Sequence, residues 1–189
     1  MFLRDKYYKN FFKGDNIYII SNNAVDKKLE IMMEELEIPE SNFMEYDENK
    51  LEALYEILEE QYMEEKVKKQ KLIIMDDIAY SAGLKGSQTN IISRMVCNGR
   101  HILLNTIFTT QKYSLLGTTL RSQLTGIFIG NTSTKELELV ETDFNFLEDK
   151  KKFMKMMREN TKGRNFVFVN LTNDELEGMY LNSNFEKIA

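Results

Sequence analysis

Two adjacent aspartates, Asp76 and Asp77, stand directly after the apolar run Leu72-Ile73-Ile74-Met75. Carboxylates at the tip of a buried strand suit nucleotide hydrolysis. The first acid, Asp76, would contact a magnesium ion through the water shell that this metal gives up reluctantly. The second, Asp77, orients or deprotonates the attacking water. Gln111 ends another strand-like stretch, Ile102 to Thr110, and its amide can align the same water. Asn131 follows a third short run, Ile127-Phe128-Ile129. In open parallel sheets ligands bind beyond the carboxyl ends of the strands, so these tips form the candidate site. The Asp-Asp string alone is not specific, because a strand followed by a helix-capping acid spells the same letters.

The elements that must position these residues alternate in type. Residues 1–12 read as a helix, with Phe2, Leu3, Tyr7, Phe11 and Phe12 apolar and Gly14 as its breaker. Ile17-Tyr18-Ile19-Ile20 reads as a strand covered on both faces. Val25, Leu29, Met32, Met33 and Leu36 recur at helical spacing up to Pro39. Leu51, Leu54, Tyr55, Leu58 and Tyr62 form one stripe, with glutamates opposite. A helix from about Gln88 to Asn98 is expected to stop at Gly99 in a left-handed cap. Ser133-Thr134-Lys135-Glu136 is a capping box for a further helix. After a basic helix come strands at Phe166–Val169 and Met179–Leu181. This order predicts an α/β, three-layer fold whose mostly parallel sheet has helices on both faces. With one proline, no repeats and no low-complexity tract, residues 1–189 read as a single domain.

Composition narrows the class. At 42% hydrophobic and 29% charged, the 189 residues can bury an ordinary core. No apolar run approaches the roughly 18–20 residues that span a bilayer, and no signal-peptide pattern opens the chain. Cys97 is the only cysteine and His101 the only histidine, which excludes an internal disulfide and a structural zinc cluster. The pattern is that of a soluble intracellular protein, with Cys97 as a core thiol and His101 as a packed, hydrogen-bonded side chain. The net charge of −5 is unevenly spread. Glu30 to Glu65 is acidic, with Lys50 its only basic residue, whereas Lys150, Lys151, Lys152, Lys155, Arg158, Lys162 and Arg164 form a basic run. Such a run permits local contact with nucleic acid, and a solvated helix face accounts for it equally well.

From Leu72 through Asn131 the chain resembles the second half of the poxvirus-type DNA-packaging ATPases. These belong to the HerA/FtsK branch of P-loop ATPases, shared with large DNA viruses, virophages and membrane-containing phages. The resemblance is carried by an ordered series: LIIMDD (72–77), NGRH (98–101), NTIFTTQ (105–111), the lone arginine of TTLRSQLTGIFIG (118–130), and NTST (131–134). IYIISNN (17–23) and RNFVFVN (164–170) extend it more weakly. The resemblance implies a P-loop NTPase-like fold of the RecA/ASCE type, with Asp76 and Asp77 as the Walker B pair and Gln111 as the polar sensor. It implies ATP and magnesium as cofactors, with Asp76 facing the metal and Asn131 near the nucleotide. It also implies an arginine, Arg100 in preference to Arg121, reaching a neighbouring subunit's nucleotide. The partners implied are double-stranded DNA, further copies in a homo-oligomeric ring, and a capsid or portal vertex protein. The implied location is the host cytoplasm or the packaging vertex of the virion.

One departure from that family is large. No GxxxxGK motif followed by Ser or Thr occurs anywhere in the 189 residues. Met1 to Phe12 then correspond to the remainder of the helix that such a loop opens, with the first, central strand absent. The expectation is that the chain is a piece of a longer ATPase and alone hydrolyses ATP negligibly; a natural short relative is the other explanation. Three functions follow: a packaging motor, a plasmid-transfer or phage-extrusion ATPase, and a non-catalytic module that caps or regulates an active ATPase.

Overall fold

Short apolar runs centred on isoleucine build Ile17–Ser21 (β1), Lys71–Asp76 (β3) and Leu104–Thr109 (β4), and these segments pair in parallel, with the short Phe43–Met44 (β2) on the outer side of β1. The computed structural model describes residues 12–23, 26–79, 81–82, 84, 90–173 and 178–188. The helix expected over residues 1–12 lies outside them except for Phe12, as do Val25 and the helix start expected at Gln88. The chain divides into two compact units, residues 1–111 with 115–120, and residues 112–114 with 121–189.

In the first unit the sheet order is β2-β1-β3-β4. Successive strand residues point to opposite faces. Ile17, Ile19, Leu72 and Ile74 therefore share one face, where they pack with Leu29, Met32 and Met33 of helix α1, Lys27–Glu35. Ile20, Ile73 and Met75 point the other way and are also fully buried, so both faces are covered. Helix α2, Glu48–Glu64, buries Leu51, Tyr55 and Leu58 and packs against α3, Ile91–Asn98. Asp26, Asp47 and Asn90 cap these three helices by accepting bonds from backbone N–H groups. This is the α/β arrangement the sequence predicts. Among the described residues, no helix is long and apolar enough to cross a membrane.

Three local expectations are corrected. Gly99 is right-handed, with φ −54°. The chain continues through a 3₁₀ turn, Gly99–Ile102, and Leu103 takes the left-handed turn at φ +56° before β4. Glycine matters at position 99 for space, since a Cβ would lie 3.2 Å from the Leu104 carbonyl oxygen. His101 is exposed on that turn rather than packed, and Cys97 is half-buried rather than in the core.

Gly14, expected as a helix breaker, has a packing role. It is buried just before β1, and a Cβ there would sit 2.1 Å from the Glu37 carbonyl oxygen and 2.6 Å from that of Leu36. Both obstacles are backbone, so neither can swing aside. Gly14→Ala is expected to cost about 3 kcal/mol or more, at the upper end of overpacking changes. A thermal or urea melt checks this, and an unchanged midpoint contradicts it.

The second unit holds a separate antiparallel sheet, β5-β6-β7: Gly126–Ile129, Val167–Asn170 and Tyr180–Leu181. Here the mostly parallel expectation does not extend, and the reason is the connection. One helix between strands returns the chain for a parallel partner, but two helices, α5 (Thr134–Phe144) and α6 (Lys150–Asn160), separate β5 from β6. An up-and-down helix pair delivers β6 running the other way. Tyr180, fully buried, ties this unit together: its hydroxyl donates to the Phe144 carbonyl at 2.6 Å and accepts from the Phe146 N–H at 2.8 Å. The predicted capping box is half formed. Ser133 caps α5, whereas the Glu136 carboxylate turns away to accept from the N–H and hydroxyl of Ser114.

Candidate active site at the strand tips

Parallel register builds the site. Ser21 lies beside Asp76, and Asp76 beside Thr109, so β1, β3 and β4 each present a polar residue in one row at their carboxyl ends. The Thr109 hydroxyl donates to Asp76 Oδ1 at 2.5 Å, and Ser21 Oγ reaches Asp76 Oδ2 at 3.5 Å. The next residue, Asp77, turns left-handed at φ +50°. That conformation is uncommon outside glycine and easiest for Asp and Asn. Its N–H is anchored on β4, shared between the Thr109 carbonyl at 3.2 Å and the Thr109 hydroxyl at 3.1 Å. Gln111 Nε2 then donates to Asp77 Oδ2 at 2.7 Å.

These groups line an open crevice of about 410 Å³, together with Asn22, Asn23 and Asp26. Among the described residues, no basic side chain lines it. The three carboxylates, Asp26, Asp76 and Asp77, repel a bare polyphosphate and attract a hydrated cation. Among the described residues no cluster of three or more Asp, Glu, His or Cys could hold a metal ion, so no all-protein cage forms. The donor type present, one or two carboxylates, is the type magnesium uses when it keeps several of its waters. Asp76 is steadied by two hydroxyls, those of Thr109 and Ser21.

Thr109 was not singled out from sequence. Its signal was present, as a hydroxyl in the register row of the first acid, but register is not visible until the strands are paired. Thr109→Val keeps the shape and removes the hydroxyl that holds both acids. In a chain able to turn over ATP, misplacing the acids should lower turnover by about 10²-fold. Wild-type turnover in that variant contradicts the positioning role.

The other candidates lie elsewhere. Arg100 is exposed in the turn that enters β4, at the amino end of the parallel strands. The crevice is at the carboxyl end, about 17–20 Å along the strand. Arg121 belongs to the second unit. It is ion-paired with Asp143 and its guanidinium lies 5.3 Å from the Tyr113 ring centre, while the Tyr113 hydroxyl donates to Asp143 at 2.7 Å. Burial first, and then the Asp143 carboxylate, raises the Tyr113 pKa and keeps its proton on. Asn131 is exposed just after β5 and belongs to the second unit, so it does not end a strand of the parallel sheet.

The fold is similar to solved viral structures. The crystal structure of the DNA-packaging ATPase from Sulfolobus Turreted Icosahedral Virus aligns over 100% of this chain and 91% of its own, with TM-score 0.62 and 15% identity. The genome packaging NTPase from Sulfolobus turreted icosahedral virus 2 in complex with ATP-γS aligns over 89% and 81%, with TM-score 0.58 and 16% identity. The same NTPase in complex with AMPPCP aligns over 92% and 83%, with TM-score 0.58 and 15% identity. No curated protein matches the sequence. The family model described as Poxvirus A32 protein matches residues 4–176, nearly the whole length, and the chain therefore belongs to that family.

Proposed function

We propose that this chain carries the water-activating half of an ATPase site in a motor that drives double-stranded DNA into a viral capsid, acting as one copy in a ring. The observation that carries the reading is the joining of Asp76, Asp77, Thr109 and Gln111 in one acidic crevice at the carboxyl edge of a parallel sheet. Family membership supports it, as does likeness in fold to chains described as a genome packaging NTPase and a DNA-packaging ATPase.

Asp77 accepts the proton of the attacking water as oxygen adds to the γ-phosphorus and the bond to the bridging oxygen breaks, releasing ADP. Gln111 spends its N–H on Asp77, which leaves its carbonyl oxygen to accept from that water. Asp76, held by Thr109 and Ser21, would face the metal's water shell. Magnesium, when bound there, offsets the charge of the transferring phosphoryl group. The phosphates also need a cradle of backbone N–H groups and a lysine, and the sequence holds no loop of that kind. Arg100 is the arginine we assign to a neighbouring copy's nucleotide, because it is exposed, whereas Arg121 is engaged with Asp143 and Tyr113.

The test is ATP turnover with and without duplex DNA. Residues 1–189 alone should show almost none, and a chain extended upstream by a strand and a phosphate-binding loop should show DNA-stimulated turnover. Robust turnover by residues 1–189 overturns this account. The other reading is a non-catalytic module that regulates an active ATPase. An extended chain that binds ATP without DNA-stimulated turnover would establish the module instead.

A further inference from the structure

Helix α6 places its charges against its own interest. It opens with Lys150, Lys151 and Lys152, and positive charge at a helix N-terminus opposes the macrodipole. Lys150 is partly offset by Glu138 at 3.5 Å and Glu141 at 3.8 Å, while Lys151 and Lys152 have no ion pair among the described residues. Phe153, Met156 and Met157 fix the buried face. At 3.6 residues per turn, Lys151, Lys155 and Arg158 then fall together on the opposite, solvent side. Lys155 meets Glu159 at 3.9 Å with the cation leading, the weaker order for an i,i+4 pair. Arg158 donates to Thr134. Past the helix, Lys162 and Arg164 continue the exposed positive charge.

The segment from 150 to 164 thus carries seven cations and a single acid, Glu159, in a chain whose net charge is −5. Lys151 and Lys155 sit four residues apart, where like charges destabilise a helix. The N-cap Asp149 and the acids paired with Lys150 and Lys155 offset only part of this charge, and the exposed stripe keeps a net positive charge open to an outside anion. The exposed large apolar residues lie elsewhere, at Phe128 and Phe146 for example, and none occurs within 150–164. A subunit interface needs an apolar centre, whereas binding to phosphates needs only charge.

We propose that the outer stripe of α6, Lys151 and Lys155, with Lys162 beyond it, contacts the phosphate backbone of duplex DNA. This assignment rests on the motor reading above. Lys151 to Arg158 spans about 10 Å of helix, a length over which duplex DNA carries about six phosphate charges.

The experiment compares wild type, a K151Q/K155Q/K162Q variant and a charge-matched control, K27Q/K66Q/K69Q, whose lysines are exposed in the first unit. Glutamine keeps helix propensity, and circular dichroism confirms the helix. Duplex DNA affinity is measured by fluorescence anisotropy across a salt series, with sedimentation in the absence of DNA. The slope of log affinity against log salt should shrink by about 2.7 in the stripe variant, since each phosphate no longer neutralised by a lysine removes about 0.9. The control should keep the wild-type slope. An unchanged slope in the stripe variant, or an equal loss in the control, overturns the assignment and leaves the motor reading standing. Altered self-association with an unchanged slope also overturns it and gives the stripe to a subunit interface. Wild type that binds no duplex at any salt overturns both readings.

Discussion

Arg100→Ala is expected to lower ATP turnover by about 10³–10⁵-fold in a chain extended upstream by a phosphate-binding loop, the effect of losing an arginine supplied between subunits. The geometry makes a sharper forecast than loss alone. Arg100 stands at the opposite end of the parallel strands from the acids of its own chain, so it can serve only another copy. Mixing Arg100→Ala with Asp77→Asn should therefore restore part of the activity. In mixed rings some interfaces combine an intact Arg100 from one copy with an intact Asp77 from its neighbour. A mixture no more active than its two components summed would remove Arg100 from the mechanism. Arg121→Ala should behave differently, as a stability change, because it breaks the contacts to Asp143 and Tyr113.

Asp77→Asn is the second large effect, about 10²–10⁴-fold on turnover, the usual reach of a general base. Asparagine keeps the side-chain shape, can still accept from Gln111, and tolerates the left-handed backbone at φ +50°. What disappears is the basicity of the carboxylate. Nucleotide affinity should stay near wild type while single-turnover hydrolysis collapses. Hydrolysis within a few-fold of wild type would leave Asp77 a structural residue of the strand tip. Asp76→Asn should instead raise the magnesium concentration needed for half-maximal turnover.

The strands were legible because short apolar runs have few alternatives when both sheet faces are buried: β1 and β3 lie over Ile17–Ile20 and Leu72–Met75, and β4 lies within the expected Ile102–Thr110, shortened at its start by the 3₁₀ turn Gly99–Ile102. The tip residues Asp76, Asp77 and Gln111 followed from strand ends, which a linear sequence marks by polarity. Thr109 did not, since its role comes from lying opposite Asp76, and register is a pairing property. The antiparallel second sheet was missed because the apolar runs of β5 and β6 carry no sign of direction. The count of helices between them does carry it, and that signal was present in the sequence. Gly14 read as a helix breaker, although what requires glycine is a backbone from residues 36 and 37 pressing on it. Glu136 read as half of a capping box, although a partner twenty-two residues earlier claims its side chain.

The most direct measurement follows backbone amide resonances of the loop-extended chain while magnesium and ATP-γS are added together. The account predicts saturable shifts at Asp77, Thr109 and Gln111 that need magnesium and are weakened by Asp76→Ala. Shifts confined to residues away from the β1, β3 and β4 tips, or shifts indifferent to Asp76, would contradict it.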